Sequence, residues 1–237
     1  MIDRRYNKVL TVLLVIIVLA TFIALGFWGY DILQKYYIDK NANEAIDEFD
    51  EKIAELQFNT VPNNQVINEV TGQNIANETN TNQTVGGSDG TGNNSSGNST
   101  RKISLKYKGF DVVGKIEIPK TKLNYPILSV ATISSMEVSV GVVYGPGPNE
   151  IGNTCFMGHN YRNGALFSNN TKLSNGDLIY ITDLTGRKIE YKIYNMYYTT
   201  STDFDYATRD TGGKREISME SCSDDNKSRL IIWAKET

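Results

Sequence analysis

Cys222, His159 and Arg229 are the residues whose types and positions could do chemistry together. The chain has two cysteines and a single histidine, so a nucleophilic thiol has one imidazole available to exchange its proton. A cysteine at its ordinary pKa is only slightly ionised near neutral pH and needs such a neighbour to act as a nucleophile. A nearby guanidinium could stabilise the oxyanion that forms when a thiolate attacks a carbonyl carbon. These residue types predict acyl-transfer chemistry.

The elements around these residues are strands that end at the reactive groups. Residues 217–232, ISMESCSDDNKSRLII, read as a strand ending at Cys222, a polar connection, and a second strand that Arg229 opens. Antiparallel pairing of the two strands would bring Cys222 and Arg229 to one end of a sheet. His159 lies in CFMGHNYRNGALF, where an apolar strand gives way to a polar loop. If its strand neighbours that of Cys222, thiol and imidazole share one rim.

The other cysteine and the nearby acids leave alternatives open. Cys155 lies on an apolar strand four residues before His159 and is predicted to be a core residue. A disulfide between Cys155 and Cys222 is the rival interpretation, and it would consume the nucleophile. Arg229 could instead be an ion-pair partner of Asp224 or Asp225. The chain has too few cysteines and histidines for a zinc site, and its net charge of −3 argues against nucleic acid as a partner.

The N-terminal region predicts a membrane anchor. Residues 9–30 run without a charge, and a helix of that length spans roughly 33 Å, enough for a bilayer core. Arg4, Arg5 and Lys8 precede this run and Asp31 follows it, so the positive-inside rule places residues 1–8 in the cytoplasm and residues 31–237 outside. A cleaved signal peptide, with its cleavage site at residues 24–26, is the alternative interpretation.

Three further segments follow the apolar run. In residues 31–58, Ile46, Phe49, Ile53 and Leu56 recur at helical spacing among charged residues, which predicts an amphipathic stalk helix. Its apolar face could pack on the folded body or lie on the membrane surface. Residues 59–101 are rich in Asn, Thr, Gly and Ser and predict a disordered linker. Residues 102–237 then form a single folded domain.

The folded domain is predicted to be mainly β. Alternating segments and turn residues favour a closed antiparallel or mixed β-barrel of about eight strands with short helices, preceded by the transmembrane helix. The predicted strands are Gly114–Ile118, Tyr125–Leu128, Cys155–Gly158, Leu178–Thr182, Arg187–Tyr198, Glu216–Cys222 and Leu230–Ala234.

Several motifs, in order, resemble those of the sortases, membrane-anchored cysteine transpeptidases of Gram-positive bacteria. The family's nucleophile strand is TLxTC-like and is followed by an Arg-containing strand, which SMESC at 218–222 and RLII at 229–232 resemble. GNTCFMGHN at 152–160 is similar to its histidine motif. GKIEIP at 114–119 and LF through LSNGD at 166–177 resemble two further family stretches. Both threonines of the nucleophile motif are serines here, its leucine is Met219, and Glu220 precedes Ser221.

This resemblance implies a function and roles for residues. Cys222 would cleave an LPxTG-like sorting signal of secreted proteins through a thioacyl enzyme, which a cell-wall peptidoglycan precursor amine then resolves. His159 would move the protons and Arg229 would hold the oxyanion or the substrate backbone, while Ser221 and Asn160 would contact substrate. The short segment 199–214 lies where sortases keep a substrate-recognition loop and is most similar to class D or unassigned clostridial-type enzymes.

The resemblance also bears on cofactors, and other function classes stay open. No cofactor is required, but some relatives bind calcium through acidic residues near that loop, which makes Asp203, Asp205 and Asp210 candidate ligands. One alternative function is a hydrolytic cysteine endopeptidase on the same scaffold, with water as the acceptor. The other is a non-catalytic, membrane-tethered binding domain.

Overall fold

A long N-terminal helix and a β-barrel make up the computed structural model, which describes residues 4–60, 102–225 and 227–237. Helix α1 (Arg4–Thr60) is continuous through both the predicted membrane span and the predicted stalk. Most of the predicted linker, and residues 1–3 of the predicted cytoplasmic segment, lie outside the described residues.

Nine strands form one sheet, and seven of them correspond to the strands predicted from the sequence. They are β1 (Lys106–Tyr107), β2 (Phe110–Ile118), β3 (Leu123–Leu128), β4 (Val140–Tyr144), β5 (Gly152–Met157), β6 (Leu178–Asp183), β7 (Lys188–Thr199), β8 (Arg215–Cys222) and β9 (Arg229–Glu236). The short helices are α2 (Ile133–Met136) and α3 (Asp205–Thr208), with 3₁₀ turns at Pro119–Thr121 and Phe167–Lys172.

The sheet closes on itself through eight strands. Its order is β1-β2-β3-β4-β5-β8-β9-β7-β6, and β2 also pairs with β6, so that β2 to β9 form a closed barrel and β1 extends β2 as a short hairpin. The β3–β4 and β5–β8 pairs are parallel and the others antiparallel. The predicted closed, mixed barrel of about eight strands is confirmed. Closure removes the unpaired edges that an open sheet of this size would expose.

The barrel interior is filled by the inward-facing members of each alternating strand. Ile116, Phe156, Met219, Leu230 and Ile232 belong to one buried cluster. Successive side chains of a strand point to opposite faces, so the neighbours of these residues in the chain face outwards. On β8 the outward set is Ser218, Glu220 and Cys222.

Helix α1 packs lengthwise on the outside of this barrel. Its apolar positions Ile46, Phe49, Ile53 and Leu56 are buried. Phe49 joins Val112 and Leu128 in a second buried cluster outside the barrel interior. Gly186, in the β6–β7 turn, has a φ of +83°, and a Cβ there would lie 2.9 Å from Cγ2 of Ile53. The sequence left open whether this apolar face packs on the folded body or lies on the membrane surface, and in the structure it packs on the folded body.

The first half of α1 makes no such contacts. A stretch within Lys8–Phe58 is long and apolar enough to cross a bilayer by length and composition, and none of that stretch is buried against the rest of the protein. A helix from the core of a soluble domain would be buried, so that explanation does not apply. A signal sequence would meet the same length and composition criteria.

Candidate active site

The strand pairing brings the three predicted catalytic residues to one end of the barrel. Arg229 lies directly opposite Cys222 in the antiparallel β8–β9 pair. In the parallel β5–β8 pair, Met157 lies opposite Glu220. His159 and Cys222 each follow their paired residue by two positions, so both lie at the same end of neighbouring strands, with Cys222 as the last residue of β8 and His159 two residues past β5. All three side chains are partly exposed.

The segment that carries His159 is held tightly on both sides. Gly158 has no room for a side chain, because a Cβ there would lie 2.8 Å from the Phe167 ring and 2.9 Å from Cγ1 of Val140. Its N–H donates to the carbonyl of Glu220 at 3.2 Å. This bond continues the β5–β8 ladder past the last paired residues. It therefore fixes the position of His159 along the strand direction relative to Cys222.

Asn160 links the histidine loop to the nucleophile strand. Its amide nitrogen donates to the backbone carbonyl of Cys222 at 3.1 Å and to Oδ1 of Asp224 at 2.9 Å. Its side-chain oxygen accepts from the backbone N–H of Arg162 at 3.1 Å. The polar atoms of this side chain are thus engaged within the protein. Substrate contact by Asn160 stays a prediction, beside the structural link that the geometry shows.

Ser221 lies on the opposite face of β8 from Cys222. It is 3 % exposed and is paired with Leu230, which belongs to the barrel interior. Its hydroxyl is therefore turned away from the face that presents the thiol. Contact of Ser221 with substrate stays a prediction. In the structure the side chain packs towards the barrel interior, on the inner face of β8.

Arg229 forms an ion pair with Glu220, a residue that the sequence analysis noted only as a departure from the family motif. Nε of Arg229 lies 3.1 Å from Oε1 of Glu220, whose side chain is 5 % exposed. The Tyr206 hydroxyl donates to Oε2 of the same carboxylate. Burial, and then this hydrogen bond, raise the pKa of Tyr206. The ion pair of Arg229 is formed with Glu220 and not with the two aspartates considered from the sequence.

The sequence pattern could have predicted the ion pair between Arg229 and Glu220. Alternation along β8 places Glu220 on the same face as Cys222, and residues two apart on facing strands are diagonal neighbours within reach of long side chains. An acid two positions before the cysteine could therefore meet an arginine that opens the next strand.

The environment of His159 favours its neutral form. Burial lowers the pKa of His159 below its ordinary value, and the negative charge of Glu137 opposes this effect. The ring of Tyr161 lies beside the imidazole, with 5.0 Å between ring centroids. A neutral imidazole can take up the proton that a thiol or an incoming amine releases.

The two cysteines differ in environment, and both are free thiols. Cys155 is fully buried, and burial raises the pKa of its thiol to about 11, against the opposing effects of Ser218, Arg209 and Asn153. It pairs with Ser218, four residues from Cys222 on β8, which is about 13 Å along a strand. That separation exceeds the Cα distance that a disulfide spans. Cys155 is a core residue, as predicted.

The candidate calcium ligands do not converge. Asp203 accepts hydrogen bonds from the Thr199 hydroxyl and from the backbone N–H of Asp205, whereas Asp210 accepts from the backbone N–H of Gly212. Among the residues that the structure describes, no group of three or more His, Cys, Asp or Glu side chains could hold a metal ion.

The segment between β7 and β8 covers the outer face of the sheet near this site. Its helix α3 contributes Tyr206 and Ala207, which pack with Cys155 and Ile231 in a separate buried cluster. The segment in which the resemblance places substrate recognition is thus anchored on the strands that present Cys222 and Arg229.

Comparison with known proteins identifies relatives over the barrel. A family model described as "Sortase domain" matches residues 116–237, just over half of the chain. Sortase A of Bacillus anthracis is 29 % identical over 124 residues, which cover 51 % of this chain and 58 % of that relative. The chain thus spans less than two thirds of the length of this curated relative.

Solved structures of the same family also resemble the chain. Sortase A from Corynebacterium diphtheriae aligns with a TM-score of 0.49 at 24 % identity, covering 54 % of this chain and 61 % of that one. The Clostridium perfringens sortase D5 transpeptidase aligns with a TM-score of 0.49 at 27 % identity, covering 54 % of this chain and 79 % of that one.

Proposed function

This chain belongs to the sortase family, and from that premise we propose that it is a cysteine transpeptidase. Its substrate is a secreted protein with an LPxTG-like sorting signal, and its acceptor is an amine of a cell-wall peptidoglycan precursor. The observation that carries this proposal is the presence of Cys222, His159 and Arg229 at one end of three neighbouring strands. The reaction needs no cofactor.

Each of the three residues has a distinct task. His159 accepts the proton of the Cys222 thiol, and the resulting thiolate adds to the scissile carbonyl carbon while the Arg229 guanidinium stabilises the oxyanion or holds the substrate backbone. The C–N bond then breaks, and His159 protonates the departing amine, leaving a thioacyl enzyme. An incoming amine attacks the thioester carbonyl, gives its proton to His159 and releases the Cys222 thiolate. His159 then returns its proton to Cys222, and the kinetics are ping-pong.

Glu220 prepares Arg229 for this task. A guanidinium offers five N–H donors, and the ion pair to Glu220 uses the Nε edge. Nη1 also donates to the backbone carbonyl of Ser228 at 3.5 Å, which leaves the N–H groups of Nη2 and the second N–H of Nη1 to stabilise the oxyanion. A charge held in place before substrate arrives does not have to reorganise in the transition state.

The N-terminal part of α1 anchors the enzyme in the membrane in this proposal. The span crosses once, with the N-terminus in the cytoplasm and the barrel outside, as the basic residues before it and Asp31 after it indicate. Anchoring raises the effective concentration of exported substrates and wall precursors at the site.

The test uses the full chain in detergent micelles, because α1 covers apolar residues of the barrel that a shorter chain would expose. The chain is incubated with a library of sorting-motif peptides, with and without added amines, and the products are identified by mass spectrometry. We expect amide products with the natural chain and a loss of at least about 1,000-fold in Cys222→Ala. Cys155→Ala, which removes the buried thiol, is the matched control and keeps the activity.

The outcomes separate the alternative functions. Product that stays a free acid when amine is added supports the hydrolytic endopeptidase. A Cys222 thiol that is inert to thiol reagents, with no turnover of any peptide, supports a non-catalytic binding domain. Turnover that persists in Cys222→Ala overturns the mechanism proposed here.

A further inference from the structure

We propose that the active-site end of the barrel lies against the outer surface of the membrane, so that Cys222 works at the level of the lipid headgroups. This inference rests on the membrane anchor in the proposed function and adds an orientation to it. The observations behind it are the order of contacts along α1, the side chains that α1 exposes beyond the span, and the composition of the rim around His159.

The first contacts of α1 after the span are made with the loop that carries His159. The Asn163 amide donates to the backbone carbonyl of Asp31 at 3.4 Å and to Oε1 of Gln34 at 3.2 Å. Lys35 Nζ donates to the carbonyl of Gly164 at 3.3 Å. Asp31 directly follows the last residue of the uncharged run. The histidine loop is therefore fastened within about one helical turn of the end of the span.

Later residues of α1 meet the other end of the barrel. Asp50 forms an ion pair with Lys115 of β2 at 2.6 Å, and Ile53 packs on Gly186 in the β6–β7 turn. This turn lies at the end opposite Cys222, because β7 runs from the turn towards Thr199, which is paired with Arg229. Residues 31 and 53 are about 33 Å apart along a helix. Helix α1 thus runs from the active-site end, at the membrane, to the distal end.

The helix surface at the height of the histidine loop suits a membrane interface. Large apolar and aromatic side chains continue past the end of the span, each more than half exposed: Ile32, Leu33, Tyr36 and Tyr37. They occupy the same turns of α1 as the residues that hold Asn163 and Gly164. Aromatic residues with a polar tip are typical of the boundary between hydrocarbon and water. This apolar surface would otherwise face water, and lipid headgroups would cover it.

The residues around the active site also suit a position at the membrane surface. Trp28, near the end of the span, lines the same cleft as Arg162 and Asn163 of the histidine loop, and Tyr161 directly precedes these two residues. Arg162 is exposed beside it, and a cationic side chain at this height would meet anionic headgroups.

This orientation restricts the substrates. A sorting signal would be cleaved while the segment next to it is still in or at the bilayer, and the accepting amine would reach the thioester from the membrane surface. A peptide free in solution would have to enter between the barrel and the lipid. The proposal therefore predicts preference for substrates that are themselves attached to a membrane.

The test measures the height of the two barrel ends above a bilayer. The full chain carrying Cys222→Ala is given one labelling site, either Arg162→Cys at the active-site end or Lys214→Cys at the distal end. Cys155 is fully buried and stays unlabelled. Each variant, bearing a donor dye, is reconstituted into vesicles of phosphatidylcholine and phosphatidylglycerol with a headgroup-linked acceptor in both leaflets. Residues 214 and 222 are separated by about 26 Å along β8, so transfer should be severalfold more efficient from position 162.

A matched control loosens the connection. A flexible Gly/Ser insertion between Tyr30 and Asp31 should lower transfer from position 162 towards the value at position 214, because the barrel is then free to tumble. Equal transfer from both positions without the insertion, or more efficient transfer from position 214, overturns the orientation and leaves the anchor and the transpeptidase proposal standing. Failure of the chain to float with vesicles overturns the anchor and the orientation together. The peptide assay in micelles still decides the activity on its own.

Discussion

Arg229 and Glu220 form an ion pair across the β8–β9 ladder, with 3.1 Å between Nε and Oε1. The carboxylate is almost completely buried and also accepts a hydrogen bond from Tyr206. A buried carboxylate needs such partners, since its desolvation is otherwise costly. The cation that the proposed mechanism requires is thereby held at the same end of the sheet as the nucleophile.

Removing the charge of Glu220 should impair catalysis. Glu220→Gln keeps the side-chain shape but weakens the hold on Arg229. Hydrogen bonds to charged groups are worth about 1.5–3 kcal/mol, so we expect kcat/KM for transpeptidation to fall roughly 10-fold or more, chiefly in kcat. The measurement is steady-state kinetics with a sorting-motif peptide and an amine.

The matched control for this prediction is Glu216→Gln. Glu216 lies on the same strand and face, and it is paired with Arg209 at the other end of β8. Glu216→Gln should lower the thermal midpoint at least as much as Glu220→Gln does, while leaving kcat close to that of the natural chain. Equal kcat in Glu220→Gln and the natural chain would show that Arg229 does not depend on this partner.

The pKa of His159 should lie below 6.5, since burial lowers it. His159 is the single histidine of the chain, so its ring resonances can be followed in an NMR titration without assignment. Glu137→Gln removes the charge that favours the imidazolium and should lower the pKa further. The acidic limb of kcat/KM then moves to lower pH. Glu150→Gln, in the loop at the other end of the barrel, should leave the titration unchanged.

The same lowered pKa makes stability depend on pH. Below the ordinary pKa of histidine the unfolded chain binds a proton that the folded chain resists, so the free energy of unfolding contributed by this site decreases as the pH falls. Above that pKa His159 is neutral in both states and adds no pH dependence. A pKa of His159 at or above 6.5 would contradict the burial that the structure shows.

Substitutions at Ser221 and Asn160 should separate support of the site from contact with substrate. Ser221→Ala leaves the outward face of β8 intact, so we expect KM to stay nearly unchanged. Asn160→Ala removes the link between the histidine loop and the Cys222 carbonyl, so kcat should fall more than KM rises. Kinetics at varied peptide concentration provide both values. A large rise in KM for either variant would favour the substrate contact that the family resemblance implies.

Docking of α1 should depend on Phe49. This ring is fully buried between the helix and the barrel, and a Phe→Ala change in such an environment costs about 3–5 kcal/mol. We expect Phe49→Ala to lower the thermal midpoint in micelles and to increase amide exchange in the second half of α1. Phe58→Ala is the control, because Phe58 is 82 % exposed and exposed substitutions usually change stability by less than about 0.5 kcal/mol. Similar midpoints for the two variants would show that the helix is not docked.

Sequence reasoning recovered most strands but overlooked two. The two-residue β1 is too short for alternation to be visible. Strand β4 has a glycine in its second position and is flanked by serines on one side and a Gly-Pro run on the other, so its five residues resemble a turn region. Its pairing with β3 and β5 supplies the stabilisation that the local sequence lacks.

The sequence by itself determined features that depend on residues close together in the chain, namely the uncharged run before Asp31 and the alternation on β8, together with the presence of a single histidine for two cysteines. Only the tertiary structure decided which strands adjoin and that Glu220 forms an ion pair with Arg229. It also decided that Asn160 donates to the Cys222 carbonyl, that Ser221 lies on the opposite face of β8 from Cys222, and that α1 lies along the barrel. The physical reason is the separation along the chain over which each kind of interaction acts. Periodicity and turn chemistry act over a few residues, whereas these contacts join positions far apart in the chain, and many pairings of the same strands satisfy the local pattern equally well.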